Sequence, residues 1–249
     1  MKNIFNKKRF DKNHFSNVCI FILIVLFSCL IIYQIYLAII NKQNHSKLVE
    51  GLTTLTLNSI TPQANITCTG TTILPNNFYN VVITDISNIE IINNNVIDIN
   101  NNVNGLITTY NNSQSSTQLD DLSLNDIAFN KIPSSPTNSN YFKAVNTNVS
   151  NINIINTNIN NIFTIVKQLP NGTSATSNTK LSTLSSTNLN ANNICQTENT
   201  NIININALNT NTTSLNIAVN KLITIQNNQL SQQSTGMNSL SQSVGVTTG

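Results

Sequence analysis

The sequence predicts a mainly α-helical chain: a single N-terminal transmembrane helix, then an extended, interrupted coiled-coil ectodomain with a small β or irregular segment near the membrane. Two observations carry this reading. Residues 18–40 (VCIFILIVLFSCLIIYQIYLAII) form an uncharged run of 23 residues, long enough to cross a bilayer as one helix. Downstream, apolar residues recur at alternating spacings of three and four in separate blocks, the signature of helices that bury one narrow face.

The apolar run is too long for a cleaved signal peptide, whose apolar region spans about 7–15 residues before a small-residue site, so it reads as an uncleaved signal anchor. Lys2, Lys7, Lys8, Arg9 and Lys12 precede it and only Lys42 and Lys47 follow it closely. That bias places residues 1–17 as a basic head in the cytoplasm and the tail outside or in a lumen, with the lipid bilayer as a partner. Tyr33 and Tyr36 lie one turn apart, where aromatic rings favour the headgroup layer. The basic stretch at 7–10 is a topology signal and not a nucleic-acid site. Cys19 and Cys29 read as small apolar residues within the run.

Beyond Gly51 the chain is nearly neutral, with five lysines against seven acidic residues, and about one residue in five over the whole chain is Asn. An AT-rich genome would favour Lys as strongly as Asn and Ile, so codon bias alone does not explain that composition. It suits a protein that packs beside copies of itself or other proteins, and it also suits a poorly ordered polar stretch. Catalysis has little to stand on. The two histidines, His14 and His45, both precede the tail, and Asp120 and Asp121 are adjacent in a Ser- and Gln-rich stretch. No phosphate loop, Cys-x-x-Cys pair or zinc spacing occurs. Asp98, Asn100 and Asn102 resemble the start of a calcium loop without its Gly and closing Glu. No catalytic, cofactor-binding or metal-ligating residue is assigned. Cys68 and Cys195 are the two cysteines of the tail; an oxidising compartment permits them to pair, within one chain or each across a symmetry axis. Sequons at Asn44, Asn65, Asn111, Asn148, Asn171 and Asn211 are no more frequent than the Asn, Ser and Thr content gives by chance.

The first heptad block, 81–110, has Val82, Ile89, Val96 and Val103 in one row and Ile92, Ile99 and Leu106 in the other. The second, 141–169, has Val145, Ile152, Ile159 and Val166 with Ile155, Ile162 and Leu169, and Asn148 in the first core place. The third, within 181–249, has Ile194, Leu208, Leu215 and Leu222 with Ile205 and Val219, then slips by one residue to Ile223 and Leu230 as a stutter produces. Asn, Thr and Ile are indifferent helix formers, so these helices need burial against partners. Ile in both rows favours three strands, hence a homo-oligomer with a trimer favoured. A β-structure is the competing reading, and strict alternation fails at 93–95 and 100–102.

Between the blocks, 41–80 reads as a juxtamembrane segment, irregular or with short strands, and 111–140 as a Ser/Asn/Pro connector with a short helix near Leu122 to Phe129. Residues 170–180 form a turn at Leu169-Pro170-Asn171-Gly172. Two topologies stay open: one long stalk, or helices folded back on each other.

With its basic head, single apolar run and Asn/Ile-rich heptads, the chain resembles membrane-anchored, fibre-like or minor structural virion proteins of AT-rich large DNA viruses. The resemblance is one of style and carries no residue roles. The function expected is non-enzymatic: a membrane-anchored coiled coil that self-associates and tethers a membrane to a protein shell, with a capsid or surface protein as partner. The alternative is a surface attachment or adhesion stalk.

Overall fold

The computed structural model describes residues 20–36, 52–68, 74, 76–113, 118–177, 179–185 and 193–245. The chain divides into two units, 1–50 and 51–249. It is mainly helical, and no strand occurs among the described residues.

In the first unit, α1 covers 20–36 and all its described side chains are exposed. Its 17 residues rise about 25 Å, short of the roughly 30 Å hydrocarbon layer. Among the described residues no helix is long and apolar enough to cross a membrane. The anchor expected over 18–40 is thereby corrected, and with it the inside-to-outside topology. Residues 18, 19 and 37–40 of that run lie outside the described residues, as does the basic head at 1–17.

The second unit is built on three long helices, α2 (Phe78–Ser113), α3 (Asn138–Gln168) and α5 (Ile194–Gly245), each packed against the other two. A short α4 (Gly172–Thr176) follows α3. An extended segment precedes each long helix, over 52–68, 118–133 and 179–185.

Core positions follow the heptads. Ile92, Ile155 and Leu208 share one register, as do Ile99, Ile162 and Leu215, and Val103, Val166 and Val219; all are fully buried. Val82, Ile89, Val96, Leu106, Val145, Ile152, Ile159, Leu169 and Leu222 are buried with them. Thr212 occupies the register of Val96 and Ile159, its hydroxyl donating to the Leu208 carbonyl at 2.8 Å so that no polar group is stranded. The three apolar rows therefore close on one another inside one chain.

The helices run parallel, because every segment runs antiparallel to the helices that flank it. The first segment pairs with α2 and α5, its numbers falling as theirs rise: Thr61 meets Asn88, Asn58 meets Asn95 and Leu55 meets Asn220. The second lies between α2 and α3, with Leu122 on Asn104, Asn125 on Asn158 and Ala128 on Asn151. The third pairs with α5, Ser182 on Asn211 and Ser185 on Asn204. Neither a long interrupted stalk nor antiparallel hairpins results. The chain climbs each groove as an extended return and descends as a helix, three times over.

The repeat is visible in the segments. LTTLTLNSI at 52–60 and LDDLSLNDI at 119–127 place Leu52, Leu55, Leu57 and Ile60, then Leu119, Leu122, Leu124 and Ile127, against the core. The short helix expected near Leu122 to Phe129 is absent; that stretch is extended. Its apolar residues face a groove and its backbone is held by helix side chains, which outweighs local helix propensity.

Turn chemistry sets the ends of α3. Thr137 caps its start, with Asn140 N–H donating to the hydroxyl at 3.4 Å and Thr137 N–H donating back to Asn140 Oδ1 at 2.9 Å. At its end Pro170 forces Leu169 out of helical geometry, to φ −68° and ψ 152°. Asn171 then turns left-handed at φ 62°. Gly172 sits where an added Cβ would lie 1.7 Å from the Val166 carbonyl oxygen, so no side chain fits there.

Candidate functional site

Two polar arrangements distinguish this bundle. The first explains the asparagines. A lone extended chain in a helix groove has no neighbouring strand, yet its buried N–H and C=O groups must be paired. An Asn carboxamide carries one acceptor and one donor side by side, the same pair that a peptide edge presents. Asn95 accepts from Asn58 N–H at 2.9 Å and donates to the same residue's carbonyl at 2.8 Å. Asn88 does so to Thr61, Asn151 to Ala128, Asn158 to Asn125, Asn204 to Ser185 and Asn211 to Ser182, all between 2.6 and 3.2 Å. Seven helical residues rise about 10.5 Å and three extended residues about 10 Å. An Asn every heptad therefore meets every third residue of the segment.

A second set of clamps reaches across each groove. Asn104 and Asn111 of α2 hold Leu122 and Leu119, and Asn220 of α5 holds Leu55. On α3 the corresponding position carries Lys167, whose ammonium lies 4.1 Å over the Phe163 ring. The third groove thus departs from the other two.

The second arrangement lies at the helix starts, the tip of the bundle. Asp85, Asn148 and Asn201 share one core register on α2, α3 and α5, and each is fully buried. One turn nearer the tip, Val82 and Val145 are matched by Glu198, also fully buried. The extended segments reach in: Gln63 Nε2 donates to Asp85 Oδ1 and to the Val81 carbonyl at 3.3 Å. Asn130 Nδ2 donates to Asn148 Oδ1 at 2.6 Å and to the Ala144 carbonyl at 2.9 Å. Asn201 Nδ2 donates to Glu198 Oε2 at 2.8 Å and to the Val145 carbonyl at 3.4 Å. A cavity of about 200 Å³ adjoins Asn148, with Glu90 and Phe129 in its wall.

Both carboxyls resist ionisation. Burial pushes Asp85 up to about 9, with the Glu198 charge and hydrogen bond adding to the rise and the Gln63 hydrogen bond opposing it. Burial raises Glu198 too, against hydrogen bonds from Asn201 and Asp85. Nearer still to the tip the Phe78 and Tyr141 rings meet edge to face at 5.2 Å, and burial, then the neighbouring Tyr79, lifts the Tyr141 hydroxyl.

The tip carries a covalent staple. Cys68, ending the first segment, is disulfide-bonded to Cys195 in the first turn of α5, across 127 residues of sequence. Of the described sequons, Asn148 and Asn211 are fully buried and Asn111 is clamped to Leu119, whereas Asn65 and Asn171 are exposed. Asn100 and Asn102, weighed as calcium ligands, donate instead to the Leu122 and Thr53 carbonyls. Among the described residues no cluster of three or more His, Cys, Asp or Glu could hold a metal.

Reading the sequence by its apolar heptads places Asn148 but passes over Asp85, Glu198 and the clamps. The missed signal is a second periodicity: an Asn seven residues before another, each followed by a core aliphatic or Thr, at 88 and 95, 151 and 158, and 204 and 211. No protein-family model, curated protein or solved structure matches the chain.

Proposed function

We propose that residues 51–249 are a non-enzymatic structural projection, a single-chain version of a three-stranded coiled coil that holds a protein partner at a fixed distance. One observation carries the reading: the chain enters and leaves this bundle at the same end. Leu52 lies beside Asn227 of α5, whose side chain donates to its carbonyl at 3.4 Å. The helix starts lie at the opposite end, where Cys68, Leu74, Ile132, Tyr141 and Ile194 share an apolar cluster. Core registers from Phe78 to Leu106 cover about 42 Å. The clamp asparagines are spent inward, on the chain's own segments, which suits a self-contained spacer. Attachment through the tip is the partner mode that this topology favours.

Proximity labelling tests it. Labels placed at the tip, between Pro133 and Pro136, and at the base, on exposed Asn228 of α5, should mark two separate sets of proteins in the native source. Identical sets from both positions would sink the spacer reading.

A further inference from the structure

Four buried side-chain atoms of the tip layer lack hydrogen-bond partners: Asp85 Oδ2, Glu198 Oε1, Asn201 Oδ1 and Asn148 Nδ2. Three are acceptors and one is a donor, so heavy atoms alone cannot satisfy them. Two buried carboxylates in contact with no cation would be strongly unfavourable. A single proton resolves the count. Placed on Asp85 Oδ2 and donated to Glu198, it supplies the donor that the carboxyl pair lacks.

We propose that one proton shared between Asp85 and Glu198 closes the polar layer, making the tip of the bundle a pH-sensitive latch that is tight in mild acid and loosens in alkali. Among the described residues no other charged group is paired with either carboxyl. From α2, the first segment, α3 and α5 the facing groups are Gln63, Val145, Asn148 and Asn201; Glu198 is the titratable group that meets Asp85. Other ionisable side chains at this end of the bundle are Tyr79 and Tyr141 in the layer nearer the tip, Glu90 in the wall of the adjoining cavity, and Lys131 and Lys143, which are exposed. That cavity, touching Asn148, gives water a route to the layer.

In the unfolded chain both carboxyls lose their protons in the ordinary carboxylate range, whereas in the folded chain they hold them well above it. The stabilisation is therefore complete below the ordinary range and is lost as pH rises through the raised folded values. Replacing Asp85 by Asn supplies the missing N–H without a titrating group and gives the same residue at all three positions of the layer.

The test is thermal unfolding of the full chain, followed by circular dichroism from about pH 5 to pH 10, with Asp98→Asn, an exposed carboxylate of α2, as control. The unsubstituted protein and Asp98→Asn should lose roughly 5 °C or more of melting temperature across that span, and Asp85→Asn much less. Parallel curves for all three would overturn the proposal. Infrared spectroscopy of the unsubstituted protein gives a readout independent of any variant's folding. A protonated-carboxyl carbonyl band at neutral pH that vanishes in alkali is expected, and its absence at neutral pH would equally overturn the latch.

Discussion

The middle of the bundle and its tip use one backbone plan and one heptad register, yet close their cores in opposite ways. Around Ile92, Ile155 and Leu208 the layers are aliphatic and fully buried, and removal of that surface from water stabilises at roughly 25 cal/mol per Å² whatever the pH. At the tip the same positions carry Asp85, Asn148, Asn201 and Glu198, which gain little net stability and would be costly if left unpaired. The difference teaches that heptad spacing fixes where a side chain goes without fixing what holds the layer together. Apolar burial holds the middle; at the tip, hydrogen-bond geometry and the Cys68–Cys195 staple are added to a smaller apolar cluster that includes Phe78 and Ile202.

The sharpest break comes from carrying the tip's chemistry into the middle without its partners. Ile159→Asp puts a carboxylate into a layer of Val96 and Thr212, with no acid or amide built to receive it. A loss of about 3–5 kcal/mol is expected in urea unfolding. A loss under about 1 kcal/mol would mean that this layer is not closed.

Next in size is the staple. Replacing Cys68 and Cys195 together by Ser should cost about 2–4 kcal/mol, since the closed loop is long. The effect should be local as well: amide exchange in α5 from Ile194 to Asn204 should accelerate more than that from Leu208 to Leu222. Equal acceleration along α5 would erase the distinction between tip and middle.

A single clamp tests how the outer layer is tied to the inner. Asn158→Ala removes two hydrogen bonds and strands the Asn125 backbone, at about 1–3 kcal/mol. Protection of the Asn125 amide should fall while that of Ala128, held by Asn151, persists. If both amides exchange together, the segment is held by its apolar side chains and the clamps add little.

The smallest effect is expected at Asn160, which neighbours Ile159 but is exposed. Asn160→Asp should change stability by less than about 0.5 kcal/mol. A loss equal to that of Ile159→Asp would mean that the register assigned to α3 is wrong.

Much of this architecture is legible in local spacing. The rows through Val82, Val145 and Leu208 mark three helices, Ile in both rows suits a three-stranded core, and Leu169-Pro170-Asn171-Gly172 marks the end of α3. The extended segments are harder to read, because Leu122 to Phe129 is as compatible with a short helix when taken alone. Only the groove between α2 and α3 makes it extended. The run at 18–40 shows the converse: apolar composition suggests a span, whereas the described helix covers 20–36.

The helices and their buried faces follow from the sequence alone, because each depends on periodicity within one element. Tertiary structure alone decided that the three strands come from one chain, that the asparagines clamp backbone across grooves, and that Asp85 meets Glu198 although 113 residues of sequence separate them. Those outcomes depend on which distant groups must satisfy one another once water is excluded, and no local pattern encodes that pairing.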